Sequence, residues 1–242
     1  MKRLLLSLVA ILTCGALYAQ MDVETSKPKR LAQSQLPMFK SVEINTNADI
    51  TFIYVDDPNK CHIMYDLKGS FDTKFAYSVT ADSLLKISER SVPKRKERSE
   101  VTIYHNRLER LDISKAKVVF NDPLRCKMVD FVASSSASLN CEMDNMDVKV
   151  SASGGSRVEL SGQSRYVSVS ATSNSTVVYL ANLVTTSAWI NATQGATVMV
   201  QPEERLVVKS TMGAVVKYGG APEIFRAEQS LVGGEVFHVE EF

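Results

Sequence analysis

The sequence has few of the residue patterns that support catalysis or metal binding. Its three histidines are scattered along the chain, and no cysteine–histidine spacing fits a metal site. It has no serine–histidine–aspartate motif and no glycine-rich phosphate-binding loop. The sequence therefore predicts no catalytic residue, no metal site and no cofactor, and we expect the protein not to be an enzyme.

The sequence also lacks an excess of charge of either sign. It contains 28 Lys and Arg residues against 27 Asp and Glu residues, and removal of Lys2 and Arg3 with a signal peptide leaves 26 against 27. A nucleic-acid partner would require a basic surface, so none is expected. The one basic cluster, Pro93–Arg98, is predicted to be a solvated hairpin tip; alternatively, it contacts an anionic glycan or lipopolysaccharide.

Long apolar runs are confined to the N-terminus. Lys2 and Arg3, the apolar run Leu4–Leu12 and small residues before Ala19 are typical of a secretory signal peptide cleaved after Ala19. The alternative is a lipoprotein signal in which Cys14 is lipidated. No later stretch approaches the ~20 apolar residues of a membrane helix. We therefore expect export to the periplasm, the outer-membrane surface or the medium, with no transmembrane segment in the mature chain.

Cysteine is scarce as well. The predicted mature chain keeps Cys61, Cys126 and Cys141, and an odd number leaves at least one thiol unpaired. Cys141 falls in an apolar column of the repeats described next, where a small apolar side chain is needed. We expect it to fill the core.

From residue 134 onward the sequence repeats a short pattern, in which small polar residues lead into an apolar–x–apolar strand. Successive repeats begin 19, 20, 20 and 18 residues apart. The five repeats are Ser134–Cys141, Ser153–Leu160, Ser173–Leu180, Thr193–Val200 and Thr211–Tyr218. A second strand closes each coil, at Met146–Val150, Tyr166–Ser170, Thr186–Ile190 and Leu206–Ser210. Two strands and two corners in about 20 residues predict one coil of a β-solenoid.

Alternating apolar and polar residues also occur upstream of the repeats. Short runs separated by turn formers extend from Phe39 to His105, and no helical periodicity longer than two turns follows the signal peptide. The chain is therefore predicted to be all-β. The predicted parts are a signal peptide (1–19), a flexible leader (20–36), a β-helix domain (37–220, with N-terminal strands 37–110 and repeat coils 111–220) and a C-terminal cap (221–242). The cap would cover the open edge of the solenoid.

Three of these features together resemble a known family. They are the N-terminal strand Phe39–Thr46, the Leu-Leu-Lys-Ile strand within Ser83–Ile87, and the repeats with Ser/Gly corners. They are similar to the auto-transporter adhesin "head GIN" domain family of exported Bacteroidetes proteins. The resemblance implies a right-handed β-helix with two sheets, a suspected role in adhesion and no established catalytic residue. The corner Ser153-Gly154-Gly155 is close to the family's Gly-Ser-Gly-like triplets, and the other corners depart from them.

Strand alternation predicts which side chains of the central coils face outward. On the first sheet, an outward column runs through Asn140, Glu159, Tyr179, Met199 and Lys217. On the second sheet, the residues taken as inward are Val148, Ala188, Ile190 and Val208. This leaves Val167, Val169 and Trp189 outward, and Val169 and Trp189 share a column with Lys149 and Lys209. Val169, Tyr179, Trp189 and Met199 are therefore the predicted interaction residues. A register shifted by one residue on the second sheet is the alternative, because Ser168 and Ser170 would otherwise face inward.

These observations favour an exported, non-catalytic, adhesin-like β-helical interaction module at the cell envelope, with an unidentified protein or glycan as ligand. The alternative is a glycan-binding or glycan-cleaving protein of pectin-lyase-like shape. Flat outer faces that carry apolar residues further predict a homodimer through the central coils, about a two-fold axis.

A modification site is also predicted. Asp82-Ser83-Leu84 resembles the Asp-(Ser/Thr)-apolar O-glycosylation acceptor of exported Bacteroidetes proteins, and it falls in a predicted turn. We expect Ser83 to be the modified residue.

Overall fold

The computed structural model of the chain describes residues 31–68, 74–90, 97–174, 176–229, 233–240 and 242. Within these residues, 17 β-strands are hydrogen-bonded into one continuous sheet that winds into a solenoid. The predicted all-β solenoid class is confirmed. The predicted signal peptide with Cys14 and Ala19, the first part of the leader and residues 93–96 of the basic cluster lie outside the described residues.

The strands fall into an N-terminal group and a group that forms the regular coils. The first group is β1 (Ala32–Gln35), β2 (Ser41–Asn45), β3 (Ala48–Tyr54), β4 (His62–Asp66), β5 (Phe75–Val79), β6 (Leu84–Glu89) and β7 (Ser99–His105), with a 3-10 turn at Pro58–Lys60. The second is β8 (Arg110–Ser114), β9 (Lys117–Phe120), β10 (Leu124–Ser134), β11 (Ser138–Ala152), β12 (Arg157–Thr172), β13 (Val177–Thr193), β14 (Thr197–Ser210), β15 (Val215–Tyr218), β16 (Ile224–Gln229) and β17 (Glu235–His238).

The solenoid has two main faces. Face I contains β4, β7, β3 and β9, the first halves of β11–β14, and then β15 and β17. Face II contains β5, β6, β2 and β8, the second halves of β10–β14, and then β16. Strands β11–β14 are long because each runs from face I through a bend into face II. Apart from β1, β4 and β5, all the pairings are parallel, as expected for stacked coils.

Each regular coil turns from face II to face I through a tight corner. In five corners the residue that opens the repeat accepts a hydrogen bond from the amide three residues later, for example Ala137 N to Ser134 O at 3.0 Å. The two central residues have positive φ at Ser135-Ser136, Gly154-Gly155, Gln194-Gly195 and Met212-Gly213. Positive φ at both central positions is the geometry of a type I′ turn, which favours Gly and Asn. The predicted polar corners thus lie where the backbone turns.

Stacked apolar columns fill the space between the faces. On face I, Val158, Val178, Val198 and Val216 pair in register and are fully buried. On face II, the predicted inward residues Val148, Ala188, Ile190 and Val208 are buried as well. Cys141 is buried in register with Leu160, as expected for a core position. None of the three described cysteines forms a disulfide.

The predicted outward position of Val169, and of Val167 with it, is wrong. Both are buried, and Ser168 and Ser170 face solvent instead. The partner of Trp189 is Ser168, 21 residues earlier, because the pairing of β12 with β13 shifts by one residue after Glu159. A fixed spacing of 20 residues cannot detect this extra residue. The column through Trp189 therefore contains Lys149, Ser168 and Val207.

The N-terminal coils are stacked out of sequence order. β2 lies between β6 and β8, and β3 lies between β7 and β9. Antiparallel strands close this end: β5 pairs with β6, β4 pairs with β7, and β1 pairs with β4.

The prediction that the flexible leader extends to residue 36 is wrong for residues 32–36. β1 pairs with β4, and Leu36 is buried, with its amide donating to Cys61 O at 3.0 Å. The polar sequence of β1 lacks apolar alternation, so backbone pairing defines this strand.

At the other end, residues 224–238 extend the stack by one more coil. β16 pairs with β14 in the register Leu206–Phe225, and β17 pairs with β15 in the register Val216–Val236. The segment predicted as a cap thus contains strands that continue both faces.

A histidine lies inside the core. His105 ends β7 and is 3% exposed; its ring makes edge contacts with Phe52 at 5.5 Å and Phe120 at 6.0 Å between centroids. Burial lowers the pKa of His105 from 6.5 to about 4, and the nearby Asp122 opposes this only in part. The ring is therefore neutral at pH 7.

Replacement of Gly162 tests the backbone packing at the bend. Gly162 has φ +94°, and a Cβ atom there would lie 2.2 Å from Met143 O of the coil below. We expect Gly162→Ala to lower the free energy of unfolding in urea by about 3 kcal/mol or more. Gly213→Ala is the matched control, since Gly213 has φ +73° with open space around it. It should cost about 1 kcal/mol, and equal losses in both variants would contradict the close approach.

The buried histidine predicts a pH dependence of stability. Because its folded pKa is depressed, only the unfolded state takes up the proton between pH 6.5 and about pH 4. The stabilisation is complete above pH 6.5 and falls by about 3 kcal/mol as pH drops to 4. His105→Phe removes this term. In urea unfolding, the stability of the wild type relative to this variant should decrease from pH 7.5 to pH 4; a constant difference would show that the ring is solvated.

Candidate interaction surfaces

An aromatic cluster lies on the outside of face II. Trp189, in β13, is 38% exposed, and the Tyr166 ring lies 6.3 Å away between centroids. The Arg205 guanidinium lies 5.8 Å from the Trp189 ring, and that of Arg165 lies 5.4 Å from the Tyr166 ring. We call these four residues the face II cluster. Aromatic and Arg side chains are the types that contribute most to binding energy at protein surfaces.

Backbone register explains why these side chains gather. Tyr166, Ser187 and Arg205 are neighbours in one outward column, and Trp189 lies two residues beyond Ser187 on the same face. Ser187 is small and only 7% exposed although it points outward, so its larger neighbours cover it. The short Ser168 beside Trp189 leaves the indole accessible.

A polar cleft adjoins the cluster along the bend between the faces. It has a volume of about 310 Å³ and crosses four coils, those of β11, β12, β13 and β14. Its lining residues are Asp144, Asn145, Gln163, Ser164, Arg165, Val184, Thr186 and Glu203. Gln163 Nε2 donates to Asp144 Oδ1 at 2.8 Å. Arg165 belongs to both the cleft and the cluster, so the two form one surface with acidic, basic, amide and hydroxyl groups beside aromatic rings.

The predicted outward column on face I is present in the structure. Asn140, Glu159, Tyr179, Met199 and Lys217 pair in register, and Phe237 continues the column. Tyr179 and Met199 are half-buried neighbours.

The structure thus brings Tyr179 and Met199 together on face I, whereas Trp189 lies on face II. Val169 lies on neither outer surface. Tyr166, Arg165 and Arg205 were not predicted as site residues. The outward alternation in β12 and β14 could have found Tyr166 and Arg205, once the 21-residue coil is allowed for. Arg165 lies at the bend, where alternation gives no signal.

The titratable side chains of the described residues are dispersed. They include no group of three or more His, Cys, Asp or Glu side chains that could hold a metal ion. Burial raises the pKa of the Cys61, Cys126 and Cys141 thiols, so these thiols remain protonated at neutral pH. His62 stacks on Tyr104, and His238 bonds to Gly220 O at 2.8 Å.

Two further predicted features can be located. Ser83 lies in the turn between β5 and β6, is half-buried and has φ +58°. Its carbonyl accepts hydrogen bonds from the Lys40 and Ser41 amides. In the described part of the basic cluster, Arg98 forms an ion pair with Asp49 at 3.0 Å and bonds to Ala48 O at 3.0 Å. Arg98 therefore stabilises the fold at this point.

Comparison with known proteins gives both a family match and structural matches. The family model described as "Putative auto-transporter adhesin, head GIN domain" matches residues 38–222. A "putative adhesin" from Bacteroides fragilis has a similar structure, with a TM-score of 0.75 and 16% identity over 86% of this chain and 96% of that one. No curated protein matches the chain.

Two Parabacteroides structures show the same fold. A "putative adhesin" from Parabacteroides merdae gives a TM-score of 0.63 at 14% identity, over 87% of this chain and 95% of that one. A Parabacteroides distasonis protein described as a "putative lipid binding protein" gives 0.61 at 14% identity, over 87% and 96%.

Proposed function

Because the chain belongs to the head GIN domain family of auto-transporter adhesins, we propose that it is an exported, non-catalytic, adhesin-like interaction module at the cell envelope. The basic, apolar and small residues of its first 19 positions support export. The compartments that fit are the periplasm, the outer-membrane surface and the extracellular medium. Within the described part of the chain, no helix has the length and hydropathy that a membrane span requires.

The face II cluster is the observation that carries this proposal. Trp189 and Tyr166 are held on a stack of hydrogen-bonded coils, so little conformational freedom is lost when a ligand covers them. Arg165 and Arg205 provide charge and hydrogen-bond donors beside the rings, since their guanidinium groups lie over Tyr166 and Trp189. A rigid, partly exposed aromatic surface of this kind is suited to binding a partner.

The polar cleft favours glycan binding as the second candidate function. A sugar has an apolar ring face and several hydroxyl groups, so it can stack on an aromatic ring and hydrogen-bond to nearby polar groups. The face II cluster and the Asp144–Gln163 pair supply both types of contact on one continuous surface. Both candidate functions use the same surface. Glycan binding specifies the class of ligand, whereas the adhesin function does not.

The homodimer through the central coils stays a prediction. Val169 no longer belongs to its surface because it is buried. Trp189 on face II, or Tyr179 with Met199 on face I, would form the contact.

Removal of the indole tests the proposed site. We expect the purified protein to bind members of a protein and glycan array without releasing sugar products, and Trp189→Ala to weaken that binding at least tenfold. Met212→Ala is the matched control, since Met212 is an exposed apolar residue on a corner. It should bind as the wild type does.

Three results would contradict the proposal. Release of reducing or unsaturated sugar from a polysaccharide panel would show an enzyme. Unchanged binding by Trp189→Ala would move the site away from face II. An array without any bound component would remove the support for an interaction module.

The mass of the protein from its native host tests export and modification together. We expect a chain that begins at Gln20 and carries additional mass, which is lost in Ser83→Ala. A chain that retains residues 1–19 would contradict export, and a lipidated chain that begins at Cys14 would support the lipoprotein alternative. An unmodified mass for residues 20–242 would end the proposal for Ser83.

A further inference from the structure

The C-terminal end of the solenoid presents two strands that are paired on one side only. β16 pairs with β14, and β17 pairs with β15. Among the described residues, no strand pairs with the other edge of either one. These edges carry backbone N–H and C=O groups that can accept a further strand.

The inward column of face II is also uncovered at this end. Phe225 continues the face II column of Val167, Ala188 and Leu206, which are all 0% exposed, yet Phe225 is 44% exposed. The Tyr218 ring stacks on Phe225 at 5.0 Å between centroids. Aromatic side chains in core positions thus meet solvent at the end of the stack.

The N-terminal end differs in this respect. There β4 and β5 lie over the first coils, and Ile63, Leu67 and Phe75 are each at most 9% exposed. Since one end has a covered core and the other does not, the two ends are not complementary, and a head-to-tail contact would leave the aromatic residues poorly matched.

We propose that two copies of the chain join end to end through this C-terminal coil, with β16 of one copy antiparallel to β16 of the other. A two-fold axis across the solenoid axis reverses the strand direction and uses the same surface twice, so the assembly closes as a dimer. The contact continues the sheet and the core from one copy into the next. It does not depend on the ligand of the face II cluster.

The charges of β16 select one register. When Ala227 lies opposite Ala227 of the second copy, Arg226 of each copy lies opposite Glu228 of the other, on the outer side. If the two-fold axis instead passes beside residue 226, Arg226 lies opposite Arg226 of the second copy. If it passes beside residue 228, Glu228 lies opposite Glu228. In the favoured register, Phe225 lies diagonal to Ala227 of the second copy on the inner side.

Glu228 has a weak, solvent-exposed partner within its own chain. Its ion pair with Lys209 spans 3.8 Å, and the two side chains are 72% and 58% exposed. Exposed pairs of this kind contribute little to stability, so they compete weakly with a new partner.

A charge exchange tests the interface. We expect sedimentation equilibrium of the purified full chain to show a dimer at tens of micromolar. Arg226→Glu and Glu228→Arg should each raise the dissociation constant about tenfold or more, because each places two like-charged pairs in the interface. An equimolar mixture of the two variants should associate again, since one supplies two acidic residues and the other two basic ones. The double variant R226E/E228R should also dimerise.

An exposed apolar residue away from β16 provides the matched control. Met128 lies in β10, separated from β16 by β11–β14, and is 62% exposed. Met128→Glu introduces a charge on the outside of the solenoid and should leave the dimer intact. A monomeric wild type would overturn the proposal. So would single charge variants that dimerise like the wild type, a mixture that fails to associate, or loss of the dimer in Met128→Glu alone.

Discussion

Backbone pairing between successive coils is the constraint on which the rest of the structure depends. A single coil has two short strands and cannot bury its apolar side alone, so each coil needs its neighbour in register. A slip of one residue would exchange buried Val178 with half-buried Tyr179. The turns at the corners and the glycine at the bend both maintain that register, because they fix where each strand starts and where it changes face. Variation is then tolerated mainly in the outward columns, where the cluster and the cleft lie.

The sequence predicts the coil well because its signal is local. Repeated corners such as Ser153-Gly154-Gly155 and alternating apolar residues such as Val158 and Leu160 are visible without any knowledge of distant contacts. Trp189 faces outward as predicted, but its neighbour in β12 was predicted incorrectly as Val169. One extra residue enters β13 near the bend, where alternation carries no inside–outside signal, so that Ser168 pairs with Trp189. The position of β1 could not be predicted either, since its pairing with β4 depends on backbone groups far apart in sequence. The cleft could not be predicted from the sequence, because its lining residues come from four coils.

The outer surfaces of the described coils are flat or shallow. A stack of parallel coils has a filled interior, so side chains available to a ligand stand on its outside or at its ends. The solved relatives share this shape at 14–16% identity, and what they establish is the fold. The chemistry of the face II cluster therefore has to be understood from the residues of this chain.

The stacking order at the N-terminus bears on the order in which the chain folds as it is synthesised. β2 and β3 are the first strands of the coil stack, yet each is held between strands that come later, β6 with β8 and β7 with β9. Both of their edges can be occupied only after residues 84–120 have been made. The coils from β10 to β15, by contrast, add to the stack in the order in which they are made. The later part of the chain can thus fold sequentially, whereas the first part must wait with open strand edges.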